Sequence, residues 1–468
     1  MTREVDVAII GAGSAGLYAL SQVRRTTDNW VLIDGGELGT TCARVGCMPS
    51  KVAVQIAEGL HRRKIFDREG IEGGEALSLD TQAAMEHIQD LRDVFVDKVL
   101  SNSIDQMSEA QFIEANARFL APDRLEVAGE QIRARAIIVA TGSKPVVPEA
   151  WRSFGERVLT TDEFFEQEDL PRSMAVIGLG VIGLELGQAL ARMGVETTGF
   201  EATDRIGGLA DPAVNQAAID IIGKEFPIHL GVPAEVSEGG DGQLRVSAGE
   251  REVLVDRVLV CMGRRPNVAG LGLDTLGVPL DEFGVPEYDR HTMRVGDLPV
   301  FLAGDVTGER PLLHEAADEG RIAGFNALRD EPVAFERKTS LAITFSDPNI
   351  VTVGACLDEL DEAETAIGEV RFGPLGRALI MGRNRGLLRV YAERSSGRLL
   401  GAAMCVPGGE HLGHLLALAI AQGMTVFDLL KLPFYHPTLE EGLQAALYDL
   451  KGRLDYSGVV PVELRARD

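Results

Sequence analysis

Cys42 and Cys47 bracket four residues in the segment Cys42-Ala43-Arg44-Val45-Gly46-Cys47. Sulfurs this close can form and open one disulfide, so the pair suits thiol–disulfide exchange, with a thiolate as the reacting species. A structural disulfide is one alternative, and a reducing cytosol disfavours it. A zinc site is another; it needs two further ligands that no nearby Cys or His supplies, so no metal is expected. Cys261, Cys356 and Cys405 are scattered singly, and five cysteines in 468 residues are too few for a secreted disulfide framework.

Asp34 lies eight residues before Cys42, just after an apolar run of strand length, Trp30 to Ile33. Upstream, the apolar run Val5 to Ile10 enters Gly11-Ala12-Gly13-Ser14-Ala15-Gly16, and a helical pattern follows to Arg25. Strand, glycine turn, helix, strand and terminal acid make a dinucleotide fingerprint. Gly11, Gly13 and Gly16 let the backbone approach a pyrophosphate, the helix N-terminus holds its charge, and Asp34 accepts from a ribose hydroxyl. One such motif is weak. It returns after Met174 to Ile177, where Gly178, Gly180 and Gly183 open a second helix and Glu201 closes the next strand. In both copies the acid stands 23 positions after the first glycine. Glycine turns that only pack a helix on a sheet are the alternative for either copy alone, whereas the matched pair implies two dinucleotide cofactors. A carboxylate at Glu201 suits a free 2′-hydroxyl and repels a 2′-phosphate, which favours NAD over NADP; the nearby Arg205 argues the other way.

The two halves also end alike. Ile137 to Ala140 runs into Thr141-Gly142-Ser143, and Val258 to Cys261 into Met262-Gly263-Arg264-Arg265-Pro266-Asn267, each a strand entering a tight turn. Gly11 to Gly142 spans 131 positions and Gly178 to Gly263 spans 85, so the first half carries 46 more, and Cys42 and Cys47 lie in that extra length. Val300 to Ala303 is a further short strand ending at Gly304-Asp305. Beyond about residue 340, strands followed by helices without a glycine fingerprint read as a separate C-terminal domain.

Several domains are expected of 468 residues, and 45% apolar with 25% charged residues is the composition of a globular protein. The 46 basic and 71 acidic residues give a net charge of −25, which excludes nucleic acid and anionic membrane surfaces as partners. A basic protein would be attracted; a solvated acidic surface is the plainer reading. Leu415 to Ala421, the strongest apolar run near the C-terminus, is too short to cross a bilayer, and Met1 to Asp6 has no secretory pattern, so a cytoplasmic location is expected.

Thr-Thr-Cys-Ala-Arg-Val-Gly-Cys-Met-Pro-Ser-Lys at 40–51, the paired fingerprints, Gly-Arg-Arg-Pro-Asn at 263–267, Ala-Gly-Asp at 303–305 and His-Pro-Thr-Leu-Glu-Glu at 436–441 complete the set. Together they resemble the pyridine nucleotide-disulfide oxidoreductases over essentially the whole chain. The resemblance implies an α/β fold of two Rossmann-like dinucleotide-binding domains, for FAD and NAD, plus a C-terminal α+β dimerisation domain. The implied division is 1–145 for the first part of the FAD-binding domain, 146–270 for the NAD-binding domain, 271–340 for the return to the FAD-binding or central domain, and 341–468 for dimerisation. Cys42 becomes the sulfur that substrate attacks, and Cys47 the charge-transfer thiolate against the flavin. Lys51 is implied near flavin N5 with Glu185 as its acidic partner, and Asp305, beside Gly304, on the ribityl or phosphate region of FAD. For Glu185 and Asp305 the alternative is an ordinary surface charge. Thr41, Ala117, Thr141, Gly142 and Gly263 join the cofactor-binding set. His436 is implied as the acid/base of the dithiol, oriented by Glu441; the imidazole pKa suits that task, although a lone histidine is more often structural.

Within the family the pattern is most like members that oxidise protein-bound dihydrolipoyl groups, passing electrons through a Cys42–Cys47 disulfide and FAD to NAD. The implied partners are a lipoylated carrier protein or components of a 2-oxoacid dehydrogenase complex, and a second copy of the chain, because the histidine is expected from the other subunit of a homodimer. A glutathione-reductase-like enzyme would carry arginines for a 2′-phosphate where Glu201 stands. A mercuric-reductase-like one would need a terminal cysteine pair, and Val462 to Asp468 has none. A soluble transhydrogenase would lack the Cys42/Cys47 pair. A flavin-binding regulatory protein without dithiol turnover is the alternative outside catalysis, against which intact Cys42, Cys47 and His436 argue. Two positions depart from the family pattern: Arg44, where Asn is usual, and Tyr435, where a small residue often precedes the histidine. Arg44 is expected either to favour the thiolate or to point to solvent.

Overall fold

Val7, Ala8 and Ile9 are all fully buried, as in a parallel strand covered by helices on each face. In the computed structural model, which describes residues 2–454 and 461–464, the strand that holds them, Thr2–Ile10, runs between Trp30–Asp34 and Glu130–Val139, parallel to both. Phe112–Glu114 adds to the outer edge of Trp30–Asp34, Val300–Leu302 lies parallel on Glu130–Val139, and the antiparallel strands Arg124–Val127 and Ala117–Ala121 complete seven. Alternate side chains enter different cores: Ala8 and Ile10 pack with the Phe119 and Leu125 side, Val7 and Ile9 with the side that holds Ala15, Ala19, Ala316 and Ala323. Helices Ser14–Val23 and Leu313–Asn326 touch backbone to backbone there. A Cβ at Gly320 would lie 2.2 Å from the Ala15 carbonyl oxygen, so the late segment after Gly304-Asp305 is seated against the first fingerprint helix.

The second fingerprint repeats this plan. Ser173–Ile177 is central, with Glu196–Glu201 and Ile228–Leu230 on one side and Arg257–Val260 and Val158–Leu159 on the other, all parallel. Helices Cys47–His61 and Thr81–Ser101 lie in the length that the first half has and the second lacks, and Cys47–His61 packs on helix Val181–Arg192 of the second unit.

The C-terminal sheet is antiparallel, in the order Leu341–Thr344, Asn349–Gly354, Leu399–Val406, Leu387–Glu393, Thr365–Arg371. Its strands alternate between two cores. Leu388, Val390, Ala392, Ala402 and Met404 pack with helices Gly409–Ala421 and Glu440–Lys451. Leu387, Tyr391, Ala403 and Cys405 join the core that holds Ala53, Leu184 and Leu190. The sheet therefore shares one core with the redox helix and the second nucleotide unit. Among the described residues no helix is long and apolar enough to cross a membrane.

Candidate redox site

Gly11 has φ +109°, and a Cβ there would lie 2.2 Å from the Ala140 carbonyl oxygen; one at Gly16 would lie 1.9 Å from the Gly11 carbonyl oxygen. Neither position admits a side chain. Gly13 differs: nothing stands within 4 Å of a Cβ placed on it, which leaves the turn open where a phosphate would meet the N-terminus of helix Ser14–Val23. Gly178, Gly183 and Gly180 repeat the three environments, with contacts of 2.3 and 1.8 Å at the first two and open space at the third. The acids match as well. Asp34 accepts the N–H of Ala12 at 2.6 Å and that of Gly36 at 2.8 Å. Glu201 accepts those of Leu179 at 2.8 Å and Thr203 at 3.0 Å. Arg205 is drawn to Asp358, 3.3 Å away.

The turns at Gly142 and Gly263 are tied together, because Ser143–Pro145 pairs antiparallel with Arg264–Pro266. Asp305 accepts the Ser143 hydroxyl at 2.8 Å, and Arg264 donates to that same hydroxyl oxygen at 2.8 Å. Asp305 thus stands in a polar chain rather than loose on the surface. Thr141 Oγ1 is buried without a hydrogen-bond partner. Ala117 buries its side chain at the start of Ala117–Ala121, and the preceding Asn116 backbone abuts Gly35, next to Asp34. An open glycine turn and an acid at the strand end fit the phosphates and ribose of FAD, and the orphaned Thr141 hydroxyl leaves a polar group free for a bound cofactor. The second turn with Glu201 fits NAD.

Cys47 begins helix Cys47–His61, and Lys51 stands one turn further along the same face. Cys42 sits in the short helix Thr41–Arg44, where the preceding Thr40 accepts the N–H of Ala43 at 3.2 Å. Both cysteines are free, and each acts on the other's thiol. Cys42 and then the Lys51 ammonium outweigh burial and hold the Cys47 thiol down at about 7, while Cys47 and burial push the Cys42 thiol up. Of the two, Cys47 is the thiol that ionises more readily. Lys51 Nζ is 2.6 Å from Glu185 Oε2, and Glu185 is 3% exposed, so it is no ordinary surface charge. Its other oxygen accepts the N–H of Phe345 at 2.8 Å. A cleft of about 840 Å³ opens beside Cys42, lined by Tyr18, Met48, Phe95, Val99 and Arg321 among others.

Of the two roles expected of Arg44, the side chain, 24% exposed, takes the one toward the surface, reaching Glu37, itself 77% exposed, and does not act on the sulfurs. It pairs with Glu37, its Nε is buried without a partner, and Lys51, not Arg44, is the cation acting on the sulfurs. His436 and Glu441 are brought together: Nδ1 is 2.8 Å from Oε1, and Glu441 Oε2 accepts the Thr438 N–H at 3.0 Å. This pair is not brought to the cysteines of its own chain by any hydrogen bond or ion pair among the described residues. The His436 side chain is 80% exposed, as is Tyr435 beside it. Sequence reasoning missed Ser143, Arg264, Gln188 and Phe345. The first two stood in turns already noted; the last two had no local signal.

Residues 5–320 match the model of the family described as pyridine nucleotide-disulphide oxidoreductase, and residues 341–447 match that family's dimerisation domain. The dihydrolipoyl dehydrogenase of Halobacterium salinarum is 31% identical over 463 residues, covering 94% of this chain and 95% of that protein. That of Thermus scotoductus is 31% identical over 461 residues, covering 95% and 97%. In fold, the chain is similar to the Cu(II) complex of the HOCl-induced flavoprotein disulfide reductase RclA from Escherichia coli, with a TM-score of 0.81 over 96% of this chain and 99% of that one, at 23% identity. LpdA from Mycobacterium tuberculosis gives 0.82 over 95% and 99%, also at 23% identity. The family uses FAD and NAD as cofactors. With its fingerprints, its dithiol and both family matches in agreement, the chain belongs to the pyridine nucleotide-disulphide oxidoreductases.

Proposed function

We propose that this chain is a dihydrolipoyl dehydrogenase, which oxidises protein-bound dihydrolipoyl groups to the disulfide with NAD as final acceptor. The observation that carries the reading is the arrangement of Cys42 and Cys47, with Cys47 one helical turn before Lys51 and Lys51 paired at 2.6 Å with the buried Glu185. The relatives at 31% identity that bear that name support the choice of substrate.

One substrate thiol attacks Cys42; its new bond to sulfur forms as the Cys42–Cys47 bond breaks, and Cys47 leaves as the thiolate that Lys51 stabilises. The second substrate thiol attacks the mixed disulfide, the product departs as a cyclic disulfide, and Cys42 is released. Two electrons have moved to the enzyme sulfurs. Of the two substrate protons, Cys42 takes one and His436 the other. The Nδ1 of His436 is engaged by Glu441, so Nε2 is the nitrogen free to accept. An exposed His436 suits service at the cysteine pair of a second copy, hence a homodimer whose subunits complete each other's site. FAD, held by the first fingerprint with Asp34, Thr141 and Asp305, supplies when bound the two-electron link between dithiol and NAD. Glu201 holds the NAD ribose. In this reading residues 1–145 and 271–340 serve FAD, 146–270 serves NAD, and the enzyme works on a lipoylated carrier in the cytoplasm.

Dihydrolipoamide added without air to the FAD-loaded enzyme should generate long-wavelength absorbance and turn it from yellow to red. If NADH produced that colour and dihydrolipoamide did not, the dithiol chemistry would stand and the substrate would be wrong.

A further inference from the structure

Glu185, Gln188 and Arg192 are spaced three and four apart in helix Val181–Arg192, share one face, and are all buried. All three grip one short segment far away in sequence. Glu185 accepts the N–H of Phe345 at 2.8 Å, and Gln188 accepts that of Asp347 at 2.8 Å while donating to the Asp347 carbonyl at 2.9 Å. Arg192 reaches the Asp347 carboxylate at 3.0 Å. The segment is the loop between strands Leu341–Thr344 and Asn349–Gly354. Clamped at two backbone positions, it fixes where the Phe345 ring can lie. That ring faces the Lys51 ammonium, 4.8 Å from Nζ to the ring centroid, while Glu185 holds the same ammonium at 2.6 Å. Lys51 is 34% exposed. On a flexible four-carbon stem its charge would swing toward water if the carboxylate were its one strong contact.

We propose that Phe345 is a positioning residue of the redox centre, whose ring keeps the Lys51 ammonium against Cys47 and sheds water from the Lys51–Glu185 pair. The loop of the C-terminal sheet thereby sets the reactivity of a sulfur on another sheet's helix. The proposal rests on the dithiol reading above. The titratable groups that act on Cys47 are Cys42, Lys51 and Glu185, of which Lys51 is the cation. A cation held over an aromatic face is worth most where water is excluded.

Phe345→Leu keeps the backbone N–H that Glu185 accepts and removes the aromatic face; Phe345→Tyr keeps the face. Reduced holoenzyme is alkylated with iodoacetamide across a pH series, and modification of Cys47 and Cys42 is separated by peptide mass spectrometry. In Phe345→Leu the pH of half-maximal Cys47 alkylation should rise by ~0.5 to 1 unit, roughly two- to fivefold less thiolate at neutral pH. Phe345→Tyr should overlay the unmodified enzyme. A Phe345→Leu profile identical to the unmodified one, or an equal shift in Phe345→Tyr, overturns the proposal. If Phe345→Leu does not fold, Phe345→Met removes the ring at similar bulk and is read the same way. Failure of the dithiol reading shows separately: lipoamide would then not reoxidise the Cys42/Cys47 pair of the unmodified enzyme, whatever Phe345 does.

Discussion

Glu201 Oε2 accepts the backbone N–H of Leu179 at 2.8 Å, which ties the acid at the strand end to the glycine turn that it must serve. Asp34 does the same to Ala12 in the first unit. Each carboxylate is thus held by its own turn before any ribose arrives, and its two oxygens keep acceptor capacity beyond these bonds.

The unmodified enzyme should therefore prefer NADH to NADPH. Glu201→Gln, which removes the charge and keeps an acceptor, should erode that preference by about tenfold, the scale of one hydrogen bond to a charged group. Steady-state kcat/KM for the two nucleotides decides it, and an unmodified enzyme that favoured NADPH would sink the assignment of Glu201.

The turns were readable because their spacing is local. An acid 23 positions after a glycine, found twice, needs no tertiary information, and Lys51 four residues after Cys47 follows from helical periodicity. What could not be read depends on packing. Phe345 meets Glu185 across 160 residues, and Arg192 meets Asp347 across 155, with nothing in either segment to announce the other. Arg44 sits in a helix of a single turn, whose rotation is fixed by its surroundings and turns it to Glu37. The C-terminal sheet looked self-contained because Leu387–Glu393 is nearly continuous in apolar residues; only the fold reveals that alternate ones face different cores.

Cys47→Ser should retain FAD and lose the long-wavelength band, since the hydroxyl supplies no thiolate. In the unmodified reduced enzyme the band should track ionisation of a thiol held down at about 7: present above that pH and lost as pH falls through it. Lys51→Met removes the stabilising cation, so its midpoint should move up. A spectrophotometric pH titration measures both, and a band surviving in Cys47→Ser would mean that the wrong sulfur has been placed against the flavin.

Arg192 has a side chain only 4% exposed and bonds Glu225 at 2.6 Å and Asp347 at 3.0 Å. Arg192→Met removes the buried cation that Glu225 and Asp347 share and leaves them Arg385, 3.6 Å from Glu225 and 3.1 Å from Asp347, so the loss should fall near the lower end of the about 3 to 5 kcal/mol typical of a broken buried pair. Denaturant unfolding of the holoenzyme should show a loss of that size. A loss below about 1 kcal/mol, the range of exposed pairs, would show that water reaches the cluster freely.

His436 has a side chain 80% exposed and is tied to Glu441, and among the described residues none of its bonds reaches the cysteines of its own chain. If it accepts the proton of the attacking dithiol, its removal should strike one half of the reaction. Loss of a positioned acid/base typically lowers the rate by about 10² to 10⁴, so His436→Gln should slow dihydrolipoamide oxidation by that factor. FAD content should not change, because His436 lies outside both glycine turns. Electron flow from NADH to an artificial quinone bypasses the dithiol and should survive nearly intact in the same variant. Glu441→Gln should reproduce the pattern more weakly, since it weakens the hold on Nδ1 and leaves Nε2 in place. Mixing His436→Gln with a Cys42→Ser variant gives a further check: a site completed by two subunits should regain activity in mixed dimers that carry one intact half-site, whereas a site built within one chain should not. If both activities of His436→Gln fell together, or neither fell tenfold, His436 would have to be read as a structural residue.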